Sequence, residues 1–228
     1  MPLRGRPMIE RDFPVTAVLD AIEPAVAQFP KASMHELADD GLRSLFQQVV
    51  ACLISVRTYE EVTMPICREL FAIAPDAAAM VALGEDGVLE VIRRSTFSDR
   101  KAGQIMAIAR RTEDEFGGEI PCDAAIVRSF NGIGIKCTNL ALGISCGIPL
   151  VCVDVHVHRI ANRWGYIATR TPEQTTVALD ELMPDDQKVR INRLLVPFGK
   201  HVCTAARPRC STCPVLAECA QVGVTTTR

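Results

Sequence analysis

The feature that most constrains this chain is its C-terminal cysteine cluster. Cys203, Cys210, Cys213 and Cys219 fall within 17 residues, spaced C-x6-C-x2-C-x5-C. Four thiolates this close call for a soft metal centre, and the segment carrying them must wrap around it. Zinc and an iron–sulfur cluster are the two candidates. Zinc ribbons usually pair two short C-x2-C knuckles across a longer spacer. Only one x2 gap exists here, so a compact loop around a [4Fe–4S] cube suits the spacing better. The other six of the ten cysteines, Cys52, Cys67, Cys122, Cys137, Cys146 and Cys152, each sit in an apolar neighbourhood and are expected to be buried free thiols. A disulfide framework is not expected, because the N-terminal MPLRGRPMIERDF has no signal-like apolar stretch and the chain is long. The expected location is cytoplasmic.

Outside that cluster the hydrophobic pattern is helical. Val15, Val18, Leu19, Ile22, Val26 and Phe29 keep close to a 3.6 period, and Leu42 to Ile54 form one broad apolar stripe. Further helices are expected near 58–73, 76–83, 86–94, 98–116, 123–130, 135–146, 155–165, 172–182 and 186–198. Pro65 should bend or shorten the helix that contains it. Only the short apolar run Pro149–Val153 interrupts the pattern, and no stretch alternates for long. The fold class is therefore all-α. With 228 residues the chain can form one or two compact domains. No apolar run is long enough for a membrane span.

The net charge of −2 gives no overall signature of a nucleic-acid partner, but the charge is unevenly placed. From Gln187 to Ala217 there is no acid, while Lys188, Arg190, Arg193, Lys200, Arg207 and Arg209 lie within. From Ala124 to Val153 there is again none. Such runs suit a local phosphate-tracking patch, or simply a solvated basic face.

Two further constellations carry chemistry. Phe130-Asn131-Gly132-Ile133-Gly134-Ile135-Lys136 joins two apolar helical segments through G-x-G. Gly132 and Gly134 permit a tight turn with close backbone approach, and the following helix N-terminus can cradle a phosphate. A dinucleotide-binding reading would need a preceding strand and a third glycine, and neither is present. Asp154, in VDVHVHR, stands just before an amphipathic helix, where it can cap the helix and be held ionised by its amides. His156 and His158 are two apart, so on a helix they point to different sides. They are read as structural or DNA-facing residues and not as metal ligands.

From about Leu42 to Cys219 the sequence resembles the endonuclease III family of helix–hairpin–helix glycosylases. That family's hairpin reads LPGVGRKTA where this chain has FNGIGIKCT. Its catalytic aspartate lies eighteen residues after the hairpin lysine, as Asp154 does after Lys136, and its cysteine spacing is matched without gaps. The resemblance implies two helical domains flanking a DNA-binding cleft. One, at 37–148, is a six-helix barrel with the hairpin. The other, at 1–36 and 149–228, is an iron–sulfur domain whose cluster fixes a loop presenting Lys200, Arg207 and Arg209 to DNA. It further implies a monomer acting on double-stranded DNA that contains damaged bases or abasic sites. Lys136 would attack the sugar C1′ of a flipped nucleotide, with Asp154 assisting, to remove oxidised pyrimidines and then nick the strand by β-elimination.

Departures fall near the lesion. Arg57 stands where the family has a gap-filling glutamine, and Phe97 stands at the wedge leucine. Asn131 replaces the hairpin proline, and Ile135 replaces an arginine. These exchanges imply altered lesion or opposite-base preference. The alternatives are a monofunctional adenine or thymine mismatch glycosylase, which usually lacks the hairpin lysine, and a non-catalytic DNA-binding or redox-sensing iron–sulfur protein. A zinc-ribbon interaction module comes behind both.

Overall fold

The structure, a computed structural model, describes residues 13–228. Residues 1–12, which the sequence reading assigns to the cluster domain, lie outside the described residues. Among the described residues the chain is helical and contains no strand. It divides into two compact units, one formed by Ser33–Ile148 and the other by Pro149–Arg228 with the described residues before Ser33.

The central unit contains α2 (Ser33–Asp39), α3 (Leu45–Ser55), α4 (Glu60–Ile73), α5 (Ala77–Ile92), α6 (Ser98–Phe116), α7 (Ala124–Ser129) and α8 (Ile135–Cys146). Ser44 and Gln47 close a reciprocal capping box that starts α3. Val49, Val50, Leu53 and Ile54 make α3 almost wholly buried, and it packs on α4, α6 and α8. The break expected between 83 and 86 is Gly84, whose φ of 76° interrupts α5. The α4 helix runs through Pro65 to Ile73, so the expected shortening is absent; the ring is exposed, and the carbonyl it leaves unbonded can face water. The sequence reading did not anticipate α2, which is only seven residues long and too short to show a period.

The second unit contains α1 (Val15–Val26), α9 (Val155–Trp164), α10 (Pro172–Leu182), α11 (Asp185–Lys188), α12 (Arg190–His201) and a 3-10 turn at Cys210–Thr212. Val18, Leu19 and Ile22 of α1 pack with Ile191, Leu195 and Phe198 of α12 and with Val157, Ile160 and Trp164 of α9 in one core. The single helix expected over 186–198 is divided at Val189, which keeps helical dihedrals. At the end of α12 the Phe198 carbonyl accepts from both Val202 and Cys203, and this turns the chain into the cysteine loop.

Candidate nucleic-acid interface and metal centre

The hairpin between α7 and α8 requires only the first of its two glycines for its backbone. Asp123 caps α7 by accepting from the amides of Ala125 and Ile126. Gly132 has φ 93°, and a Cβ there would lie 2.6 Å from Gln104 Nε2 and 2.9 Å from Leu53 Cδ1. Only glycine fits that position. Gly134 differs: its backbone is extended, and a Cβ would meet nothing within 4 Å. Gly134 is the N-cap of α8 and brings no side-chain cap. The first turn of α8 thus begins without a side-chain cap beside an exposed glycine, the arrangement that receives an anion at a helix N-terminus. Lys136 sits on this first turn and is exposed. Next to it, the half-buried Cys137 thiol is lowered to about 7, chiefly by a hydrogen bond from Cys52 and further by the Lys136 charge.

Arg57 and Phe97 occupy two turns of the same unit, and both are exposed and left-handed, with φ 55° and 59°. Non-glycine residues enter that region at a cost. What holds these turns is a residue the sequence reading missed. Lys101, one turn into α6 and only 3% exposed, donates from Nζ to Ile54 O (2.6 Å), Val56 O (2.8 Å) and Thr58 Oγ1 (2.8 Å). The Thr58 hydroxyl oxygen also accepts from the Thr96 amide at 3.2 Å. Burial lowers the Lys101 ammonium to about 8, opposed by the nearby Cys67 thiol. Three residues along α6, Gln104 Nε2 donates to Asn131 O at 3.1 Å and supports the hairpin. Arg111, two turns further, donates to Ser129 Oγ and covers the Phe130 ring. The missed signal is a lysine on the buried stripe Lys101, Ile105, Ile108, Thr112. Tyr59, 83% exposed beside Arg57, was also not singled out.

In the second unit Asp154 is the N-cap of α9. Its Oδ1 accepts from the amides of His156 and Val157, both at 2.9 Å, and among the described residues its Oδ2 takes no hydrogen bond. One carboxylate oxygen therefore builds the helix start. His156 is half-buried, and a Cβ on Gly199 would meet its Nδ1 at 2.5 Å. It pairs with Arg159, whose guanidinium also donates to Gly199 O and Cys203 O. His156 thus packs against the α12 backbone at Gly199. His158 points elsewhere, to Thr175 Oγ1 at 2.7 Å.

Cys203, Cys210, Cys213 and Cys219 line one pocket, whose remaining wall is largely apolar, with Trp164, Phe198, Val202, Pro208, Leu216 and Val224. Two sulfurs already face N–H donors. Arg163 approaches Cys203 Sγ at 3.5 Å, and the Gln221 amide approaches Cys219 Sγ at 3.4 Å. Arg163 also gives two 2.6 Å bonds to Thr204 O and Ala205 O, tying the loop to α9. Among the described residues no three His, Cys, Asp or Glu side chains are close enough to hold a single metal ion.

Residues 50–185 match the HhH-GPD superfamily base excision DNA repair protein family. The chain is 32% identical to endonuclease III of Thermotoga maritima over 174 residues, covering 76% of this chain and 82% of that protein. It is also 32% identical to endonuclease III of Treponema pallidum, covering 87% and 91%. The chain belongs to the endonuclease III family. It is an enzyme of base excision repair. In fold it is similar to a non-covalent endonuclease III–DNA complex (TM-score 0.77, 21% identity, covering 94% of this chain and 97% of that one). A trapped endonuclease III–DNA covalent intermediate gives a TM-score of 0.76 at 20% identity, with the same coverage.

Within this chain the departures from the family pattern are surface features. Ile135 is 40% exposed at the first position of α8, and Asn131 contributes its carbonyl to Gln104. Lys200, Arg207 and Arg209 are exposed, but part of the acid-free run is neutralised from elsewhere. Arg190 pairs with Asp20 and Glu23, and Lys188 with Asp180 and Asp185. One cysteine expectation is overturned: Cys122 and Cys146 form a disulfide, with Cα atoms 6.1 Å apart. Residues at the start of α7 and the end of α8 become neighbours because the hairpin folds those helices back on each other. Cys122 is exposed and Cys137 half-buried, while Cys52, Cys67 and Cys152 are buried as expected.

Proposed function

We propose that this chain is a monomeric, bifunctional DNA glycosylase and abasic-site lyase that removes oxidised pyrimidines from double-stranded DNA. The observation that carries the reading is Lys136 on the open first turn of α8, directly after the hairpin, in a chain of the endonuclease III family. The uncapped amides of that turn would take a backbone phosphate, and the exposed Gly134 lets the backbone approach. A base inside a duplex is out of reach, so the damaged nucleotide must be flipped. The Lys136 amine, once deprotonated, attacks the sugar C1′ and the base leaves. The resulting Schiff base then permits β-elimination of the 3′ phosphate. A covalent intermediate with DNA is named for a protein of this fold. Asp154 Oδ2 would stabilise the cationic sugar or move a proton, while Oδ1 keeps the carboxylate fixed at the helix start.

The four cysteines fit a [4Fe–4S] cluster better than one zinc ion, being set around a common apolar space with N–H donors on two sulfurs. When bound, the cluster supplies a rigid crosslink and no bond chemistry. Arg159 and Arg163 already orient the loop's carbonyls, and Lys200, Arg207 and Arg209 then meet the DNA backbone.

The test is borohydride trapping on a duplex with an oxidised pyrimidine, with wild type and Lys136→Ala side by side. A covalent adduct in the wild type that is lost in the variant is the expected result. No adduct, on that duplex or on one with a bare abasic site, would replace this reading with a monofunctional glycosylase. Iron and sulfide analysis of the purified protein checks the cluster, and zinc in their place would overturn that assignment.

A further inference from the structure

We propose that Lys101 is a positioning residue for lesion reading: with Thr58 it locks the turn carrying Arg57 and the turn carrying Phe97 into one body, so that both side chains reach the DNA together. This rests on the reading of Arg57 and Phe97 as the residues that meet the unpaired base and enter the stack.

The geometry is specific. An ammonium has three donors, and Lys101 directs hydrogen bonds from its Nζ to three acceptors of a single turn. Two of those acceptors, Ile54 O and Val56 O, lie at the C-terminal end of α3, where carbonyls lack helical partners and a cation is favoured. The third, Thr58 Oγ1, is shared with the Thr96 amide of the other turn. The Lys101 amide in turn donates to Phe97 O at 3.0 Å. One residue thus reaches the first turn by its side chain and the second by its backbone, with the Thr58 hydroxyl between them. Arg57 and Phe97 both need such a hold, because each would relax out of its left-handed conformation if released. The bonds run to backbone carbonyls and to the Thr58 hydroxyl, so they fix where the two side chains stand without touching either.

A buried lysine that served only the stability of the unit would leave base discrimination alone, and this separates the two roles. The experiment measures Kd for duplexes carrying a tetrahydrofuran abasic analogue opposite each of the four bases, using the full chain. Wild type, Arg57→Ala, Thr58→Val, Thr58→Ser and Lys101→Met are compared, each first checked for folding by circular dichroism. Wild type is expected to spread its affinities at least about fivefold between best and worst opposite base. Arg57→Ala should flatten that spread. Thr58→Val, which keeps the shape and removes the hydroxyl, should flatten it as well, and Thr58→Ser should restore it. Lys101→Met should behave like Thr58→Val if it folds; if it does not, the Thr58 pair decides. Retention of the wild-type spread in Thr58→Val, with flattening in Arg57→Ala, overturns the coupling and leaves the reading of Arg57 standing. No spread in the wild type, or full retention in Arg57→Ala, overturns both.

Discussion

The two hairpin glycines look equivalent in sequence and should behave oppositely when changed. Gly132→Ala forces an alanine into φ 93°, and a left-handed placement costs about 1–2 kcal/mol. The new Cβ would stand 2.6 Å from Gln104 Nε2 and 2.9 Å from Leu53 Cδ1. Gln104 can swing away only by giving up its bond to Asn131 O, a loss of about 1 kcal/mol. Leu53 is 2% exposed on the central helix and has nowhere to go, so overpacking adds about 1–3 kcal/mol. A total of about 3–6 kcal/mol lowers Tm by roughly 6–24 °C in a chain of this size. Gly134→Ala meets nothing within 4 Å and keeps an ordinary φ, so its stability should stay within about 0.5 kcal/mol of wild type. Its methyl group would instead stand where a phosphate approaches α8, and affinity for an abasic-analogue duplex should drop several-fold. Thermal denaturation by circular dichroism and duplex titration separate the two effects. The reasoning fails if Gly132→Ala melts within a degree or two of wild type, or if Gly134→Ala is the less stable variant.

Asp154→Asn keeps an acceptor for the amides of His156 and Val157, so stability should change little, while single-turnover base excision should slow by about 10²–10⁴-fold. Asp154→Ala should add a capping loss of about 1 kcal/mol, visible in urea denaturation. Lys101 binds fewer protons in the folded than in the unfolded chain between about pH 8 and 10.5, so its contribution to stability rises with pH across that window. The stability of wild type relative to Lys101→Met should therefore climb by up to about 3 kcal/mol from pH 8 to 10.5, and a flat difference would contradict the buried ammonium. Cys67, whose thiol burial pushes up to about 12, stays protonated across that window in the folded chain and adds little to the difference. Opening the Cys122–Cys146 bridge by Cys122→Ser should lower stability by about 3 kcal/mol through the entropy of a loop closed across 24 residues, and a Tm indifferent to reductant in wild type would speak against the bridge.

What could be read in advance follows from the range of the forces involved. The ends of α6 and α8 are set by neighbours in sequence, such as the extended Gly134 before α8 and the left-handed Gly117 and Gly147 after them, and both helices span the residues expected. Asp154 as a cap is equally local. The role of Lys101 is not local: its acceptors lie 43 to 47 residues away, and nothing in its own helix names them. A lysine on an otherwise apolar stripe was nevertheless a visible anomaly that required a buried partner. The Cys122–Cys146 pairing was hidden for the same reason, since it depends on how α7 and α8 fold back on each other. Arg57 and Phe97 were picked out by their departure from a family pattern, but their left-handed backbones could not be foreseen from side-chain identity.

The way α6 holds its neighbours bears on how such a protein could acquire new preferences. Lys101 and Gln104 grip the adjoining segments mainly by main-chain oxygens, those of Ile54, Val56 and Asn131. A main-chain oxygen is offered by every amino acid. The side chains at positions 57 and 97 can therefore be exchanged without loosening the brace beneath them. On the proposed reading of Arg57 and Phe97, lesion preference is interchangeable tooling on a fixed mount, which makes these two positions the ones to vary in libraries aimed at other lesions.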